Sequence, residues 1–224
     1  MISVIIPALN EERALPATLA NLFGQPGNFE AILVDGGSHD ATLSVATDWP
    51  LLQVVSSSPG RAVQMNAGAA AASGDTLLFL HADTLLPEEA LLRLNALEAD
   101  VAVWGGFHQQ FSSATRALQM VSSLHNWRCK QTGVFYGDQA MFVSRDLFDG
   151  AGGFPAEPIL EDIRLSEILL QQAQPVFLPE HVITDARKFE QMGPLRSFLR
   201  CILILICFEL RLPVLGQRFF SAIR

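Results

Sequence analysis

Basic residues are scarce in this chain: 15 Lys and Arg stand against 23 Asp and Glu, a net charge of −8 over 224 residues. Nucleic acids are gripped by clustered cations that neutralise phosphates, and no overall basic stripe of that kind is present. Cysteine is scarcer still. Cys129, Cys201 and Cys207 form no C-x-x-C pair, no zinc spacing and an odd set, which argues against a disulfide framework and for ordinary buried thiols. A long hydrophobic run is also missing, since the apolar block at 201–208 has eight residues where a bilayer span needs about 20. Nor is there a basic leader with a small-residue cleavage site: Ile2-Ser3-Val4-Ile5-Ile6-Pro7 follows Met1 directly, so the start is expected to be a strand and the location cytoplasmic. Repeats, low-complexity linkers and a Gly-x-Gly-x-x-Gly fingerprint are lacking too, and without the last a dinucleotide site has no support.

What remains is a chain that is half hydrophobic and only 17% charged, enough to build one substantial core and too apolar for disorder. Residues 2–6 form a short β-branched run closed by Pro7, the pattern of a buried parallel strand. Asn10-Glu11-Glu12 then predicts a helix start, with Asn10 as N-cap and Leu15, Leu19, Leu22 and Phe23 at helical spacing. A second strand over 29–34 stops at Asp35-Gly36-Gly37-Ser38, and a third over 51–55 follows a short helix. Residues 60–72 make a small-residue helix in which Arg61 and Asn66 are the polar members, and a fourth strand over 76–80 runs into His81-Ala82-Asp83. The alternation predicts a parallel α/β sheet with right-handed crossovers. Ligands of such sheets collect beyond the carboxyl ends of the strands, where Asp35 and Asp83 fall.

Further on, the pattern predicts helices over 88–97 and 112–129, a strand over 101–104, a loop into a strand at 137–143, and a helix begun by Glu161-Asp162. His125 and Trp127 are expected to pack, and Trp104, Phe107 and His108 to pack in the core or else to shape a sugar pocket. The extended pieces at 175–178 and 181–185 precede Arg187, which would serve either a diphosphate or the surface. The tail over 194–212 is expected to be a hydrophobic helix for a core, a homodimer or a membrane surface.

Five stretches carry the chemistry: Pro7-Ala8-Leu9-Asn10-Glu11-Glu12, Val34-Asp35-Gly36-Gly37-Ser38, Gly60-Arg61 through Asn66, His81-Ala82-Asp83 and Glu161-Asp162. In this order they resemble the motifs of family 2 glycosyltransferases, the small bacterial branch included. The resemblance implies an α/β, Rossmann-like, mostly parallel GT-A sheet flanked by helices, with one domain over 1–224. Its nucleotide-sugar half would span 1–104, its acceptor side 105–190 and a helical tail 191–224. It also implies a hexosyltransferase-type enzyme that moves a sugar from a UDP or GDP donor to a hydroxyl acceptor, inverting and dependent on Mn2+ or Mg2+.

By the same resemblance Pro7, Ala8, Asn10, Glu11, Asp35, Arg61 and His81 would line the nucleotide, and Asp83 would hold the metal. Asp162 would be the catalytic base with Glu161 orienting it, and Asp138 and Gln139 would face the acceptor. The family carries Asp-x-Asp where this chain has His81-Ala82-Asp83. An imidazole there could hydrogen-bond a ribose hydroxyl, ligate Mn2+ or simply pack beside the sheet, and it removes one charge from the metal's surroundings. Asp35 before Gly36-Gly37 also suits an Asx turn. The apolar tail suggests a lipid acceptor and a position at the inner face of the membrane. The alternatives are an inactive nucleotide-sugar-binding protein, raised by His81, and a sugar nucleotidyltransferase, whose glycine-rich basic loop is not found after the first strand.

Overall fold

The computed structural model describes residues 1–97, 103–157, 159–193 and 203. The four apolar runs of the first half become the parallel strands β1 (Ile2–Ala8), β2 (Phe29–Asp35), β3 (Leu52–Ser56) and β4 (Thr76–Phe79). They stand in the order β3-β2-β1-β4, joined by α1 (Leu15–Phe23), α2 (Thr42–Thr47) and α3 (Arg61–Ala71). Every residue of β1 is buried, as an interior strand covered on both faces requires. The register pairs Ala8 with Asp35 and Asp35 with Ser56, so the carboxyl ends of β1, β2 and β3 finish level. Gln64 of α3 fixes that edge. Its buried Nε2 donates to the carbonyls of Ala8 (2.8 Å) and Val34 (2.9 Å). One turn along the same helix, a methyl at Gly68 would strike Ile5 and Val34, so the small residues of α3 are what let it lie close on the sheet.

The second half extends the sheet and turns part of it over. After Asp83 come β5 (Thr84–Leu85), α4 (Ala90–Asn95), β6 (Trp104–Phe111) and α5 (Arg116–Thr132). A 3-10 turn (Gly137–Gln139), β7 (Phe142–Ser144), α6 (Arg145–Ala151), α7 (Glu161–Leu170), β8 (Val176–Thr184) and α8 (Arg187–Met192) follow. The eight strands run β3-β2-β1-β4-β7-β6-β8-β5. β7 is antiparallel to both β4 and β6, β5 is antiparallel to β8, and the remaining pairs are parallel, giving a mixed, mostly parallel sheet. One face buries Leu15, Leu19, Leu91 and Leu94 under α1 and α4; the other buries Met65, Leu147, Leu165 and Leu169 under α3, α6 and α7. β7 reaches β6 only at Trp104 and Gly105. Beyond them, side chains complete the free edge of β6: Asn126 exchanges two hydrogen bonds of 2.9 Å with the Gln109 backbone, and Gln139 Nε2 donates to the Phe107 carbonyl.

Several sequence expectations shift here. Asn10 does not cap α1, which starts at Leu15; Asn10 is left-handed (φ 57°) and bonds to the neighbouring loop instead. The helix after Pro87 is shorter than expected because Glu89 is left-handed (φ 58°). The strand expected at 101–104 runs to Phe111, while residues 101 and 102 lie outside the described residues. Helix α5 starts and ends later than expected, and its Trp127 is 63% exposed rather than packed. The two extended pieces near 175–185 are one strand with an irregularity opposite Phe107 and His108, and α6 had no expectation at all. The tail lies outside the described residues apart from residue 203. Among the described residues no helix is long and apolar enough to cross a membrane.

Candidate active site

At the carboxyl edge of β1 and β2, the loop after Pro7 and Ala8 is sewn to the loop after Asp35. Asn10 N–H donates to Ser38 Oγ (2.9 Å), Asn10 Oδ1 accepts from His39 N–H (2.9 Å), and Glu11 N–H donates to Thr42 Oγ1 (2.8 Å). Asp35 is buried, and its carboxylate accepts from the backbone N–H groups of Gly37 (3.0 Å) and Ser38 (3.1 Å). It therefore makes the Asx turn its sequence context allows, and Gly37 takes the positive φ (93°) that the turn needs. Five of the expected nucleotide residues, Pro7, Ala8, Asn10, Glu11 and Asp35, thus share one rim.

A second group forms where the β4–β5 link, the start of α3, the 3-10 turn and the start of α7 meet. Glu161 and Asp162 occupy the first turn of α7, yet they are only 2% and 5% exposed. Asp162 Oδ2 accepts from Gly137 N–H at 2.6 Å, and its Oδ1 accepts from Ile163 N–H at 2.9 Å. A methyl placed on Gly137 would come within 2.5 Å of His81 Nε2 and 3.4 Å of Asp162 Oδ2, so glycine is what lets the imidazole and the carboxylate close on the turn. Arg61 Nε lies 3.7 Å from Glu161 Oε1, and the arginine side chain is 40% exposed. Leu160, just before the acid pair, is left-handed (φ 60°), as are Ala140 (φ 46°) after the turn and Asn10 on the rim. Such strain is tolerated where the surroundings over-determine the backbone, and it gathers at functional sites.

The electrostatics of this group are lopsided. Burial and the neighbouring Glu161 push the Asp162 carboxyl up to about 6, against the pull of Arg61 and the two backbone N–H donors. Desolvation works against the Arg61 charge, but Glu161, Asp162, Asp83 and Asp138 outweigh it and raise the guanidinium above its ordinary range. Four carboxylates share one guanidinium, and the surplus of negative charge favours a further cation. Among the described residues no three His, Cys, Asp or Glu side chains group as metal ligands. A hard divalent ion held by one or two carboxylates and completed by phosphate oxygens still fits Asp83 with His81 beside it.

On the far side of the turn, His125 of α5 places Nε2 3.6 Å from Asp138 Oδ1 and its ring 4.9 Å from Tyr136, over which Arg128 sits at 3.7 Å. Among the described residues neither His125 Nε2 nor Asp138 Oδ1 has a hydrogen-bond partner, so two buried polar atoms keep unused capacity next to the acid cluster. Burial lowers the His125 pKa despite Asp138, which leaves the imidazole neutral at pH 7. Gln139 is different from its neighbour. It is fully buried, Oε1 accepts from Tyr136 N–H, and Nε2 holds β6, so its side chain shapes the turn. Trp104 and Phe107 are core residues, Trp104 Nε1 donating to the Ala173 carbonyl. Arg187 pairs with Asp185.

Sequence reasoning missed Gly137 as a donor to Asp162, Tyr136 as the platform under Arg128, and His125 as a neighbour of Asp138. Their roles depend on a turn that brings residues 25 positions apart into hydrogen-bond contact. The one local signal was the Gly137-Asp138-Gln139 triplet itself.

A mixed sheet with crossover helices on both faces, carrying a buried acid cluster at the carboxyl ends of its strands, defines a GT-A-like α/β protein. Solved structures agree on the fold: S. aureus TarS superposes with a TM-score of 0.69 at 19% identity, covering 92% of this chain and 65% of that one. The mannosyltransferase PcManGT from Pyrobaculum calidifontis, solved with GDP-Man and Mn2+, gives 0.65 at 21% identity, covering 89% and 64%. The chain belongs to glycosyl transferase family 2, whose profile matches residues 3–149. It is 34% identical over 171 residues to a PGL/p-HBAD biosynthesis glycosyltransferase of Mycobacterium bovis, covering 69% of this chain and 63% of that relative, so it spans less than two thirds of the relative's length. An undecaprenyl-phosphate 4-deoxy-4-formamido-L-arabinose transferase of Aeromonas hydrophila is 32% identical over 105 residues, 42% of this chain and 32% of that protein.

Proposed function

We propose that this protein transfers a sugar from a nucleoside-diphosphate sugar to a hydroxyl acceptor, with Asp162 as general base. The observation that carries the reading is the Asp162 carboxylate: buried, held by two backbone N–H groups, and raised to about 6. A base of that strength is ionised at neutral pH and still able to take a proton. The acceptor hydroxyl gives its proton to Asp162 as its oxygen bonds to the anomeric carbon from the face opposite the diphosphate. The bond from that carbon to the phosphate oxygen breaks, and the nucleoside diphosphate leaves with the electron pair, inverting the centre. Glu161 orients the guanidinium of Arg61 toward the cluster, and Asp138 faces the acceptor.

Pro7, Ala8, Asn10, Glu11 and Asp35 line the base and ribose, while Arg61 and His81 stand nearer the diphosphate. Mn2+ or Mg2+, when bound at Asp83, supplies charge neutralisation for the departing diphosphate. UDP-GlcNAc in TarS and GDP-Man in PcManGT set the two donor classes to try first. The undecaprenyl phosphate in the name of the Aeromonas relative supports a lipid-linked acceptor. Calorimetry with UDP and GDP sugars, with and without Mn2+, is to be paired with a donor-turnover assay. Donor binding that survives Asp162→Asn while turnover is lost is the expected result. Binding with no turnover in the parent protein, under any donor, would instead support the inactive binding protein.

A further inference from the structure

Helix α5 is built inside out. Its inward face carries Leu118, Ser122, Asn126 and Cys129, and two of these spend their polar atoms on Gln109 of β6. Three other large apolar side chains point the other way: Met120, Leu124 and Trp127 are 63%, 41% and 63% exposed. Their spacing of i, i+4 and i+7 places them on one stripe, opposite Leu118, Ser122 and Cys129. A helix that served the fold alone would turn that stripe inward.

Charge selects the partner. α5 carries Arg116, Arg128 and Lys130 and no acid, and residues 194–224 carry Arg196, Arg200, Arg211, Arg218 and Arg224 against Glu209 alone. These two segments hold eight of the chain's 15 cations but one of its 23 acids, a net +7 inside a chain of −8. A second copy of α5, or the chain's own basic tail, would meet this face with like charge. An anionic lipid surface would not, and it also suits a half-exposed Trp at the boundary between headgroup and acyl chain.

We propose that the outer face of α5 docks the protein on an anionic bilayer surface. Met120, Leu124 and Trp127 enter the headgroup boundary, and Arg116 and Lys130 meet the lipid phosphates. Arg128 takes no part, being held by the Val134 carbonyl and the Tyr136 ring. The same helix presents His125 to Asp138 on its inner side, so docking brings the acid cluster up to the lipid surface.

The test uses the full chain with phosphatidylglycerol–phosphatidylcholine vesicles and with pure phosphatidylcholine vesicles. Trp104 is buried and Trp49 is stacked on Phe23, so Trp127 is the tryptophan whose emission reports the outer face of α5. Expected are binding to the anionic vesicles, weak binding to the neutral ones, a blue shift with quenching by brominated lipid that Trp127→Phe removes, and a loss on adding salt. The double variant Arg116→Gln, Lys130→Gln should lower partitioning about 30-fold at low salt, roughly fivefold per surface cation. Absence of binding, binding with unshifted Trp127 emission, or an unchanged double variant would each overturn the proposal. A dimer in solution that Leu124→Ser dissolves would do so as well, because the occupant would then be a second copy. The wild-type emission measurement decides the matter even if a variant folds poorly.

Discussion

Asp162→Asn separates the cost of a buried charge from its use. Holding the carboxyl at about 6 instead of its ordinary 3.8 means that the ionised group costs the folded protein about 3 kcal/mol once both states are deprotonated. The sign is that of a raised carboxyl: below about pH 4 the cost is absent, between 4 and 6 stability falls as the unfolded chain ionises first, and above 6 the cost is complete. Asparagine has the shape and the hydrogen-bonding pattern of the neutral acid, so it keeps an acceptor for Gly137 or Ile163 without the charge. The variant should therefore be more stable than the parent at pH 7.5 by up to about 3 kcal/mol, a rise in Tm of roughly 6–10 °C for a chain of this size. The gain should shrink to nothing near pH 4. Turnover should fall by about 10²–10⁴ at the same time, and the parent's kcat/KM should drop with unit slope below about pH 6. Thermal melts of both proteins in chelator from pH 4 to 8, with steady-state kinetics, test this. A Tm difference that does not change with pH, or that is negative at pH 7.5, would refute the electrostatic argument; a variant with half the parent's turnover would refute the base.

Arg61→Ala removes the cation that draws Asp162 down, so the acid limb of the pH–rate profile should move above 6 and the donor KM should rise; a limb that stays in place counts against the shared cluster. Gly137→Ala puts a methyl against His81 and Asp162, and turnover should fall about 100-fold through misplacement of the base, with a stability loss of about 1–3 kcal/mol from overpacking, read by kinetics beside denaturant melts. His81→Asp restores the acid-x-acid pattern and should lower the Mn2+ concentration for half-maximal activity at least tenfold; an unchanged value would show that the imidazole already meets the ion. Gly105→Ala drives a methyl into the Val176 carbonyl across the β6–β8 pair, where backbone cannot yield, and should cost more than about 3 kcal/mol, at the upper end of overpacking, visible as lost soluble yield.

The parallel half of the sheet was legible because each of its strands is a short apolar run with a turn residue at its end, and each crossover helix follows at once. Asp35, Arg61, Asp83 and the Glu161-Asp162 pair stood out as polar residues near the ends of such runs, and the structure brings Asp83, Glu161 and Asp162 around the Arg61 guanidinium. The second half was less legible for a definite reason. β7 has three residues and lies between two antiparallel neighbours, and the edge of β6 is finished by Asn126 and Gln139 side chains, features without a periodicity to read. Asn10 illustrates a different limit. Its composition suits a helix cap, but bonds to Ser38 and His39, 28 and 29 residues away, hold it left-handed and delay the helix to Leu15.

Helix α5 misled the pattern in the most instructive way. Its apolar residues recur at helical spacing, so periodicity identified the helix, but periodicity carries no sign: it cannot tell which side faces the core. The inward side is settled by Ser122 and Asn126, whose partners on β6 lie 13 and 17 residues back. Once those bonds fix the rotation, Met120, Leu124 and Trp127 have nowhere to go but outward. Restoring an ordinary amphipathic helix would require breaking the Gln109 contacts that complete β6 and moving His125 away from Asp138. The exposed stripe and the polar inner face are therefore one arrangement, and a substitution that conceals the first without disturbing the second, such as Leu124→Ser, is the one that separates surface docking from the chemistry beneath it.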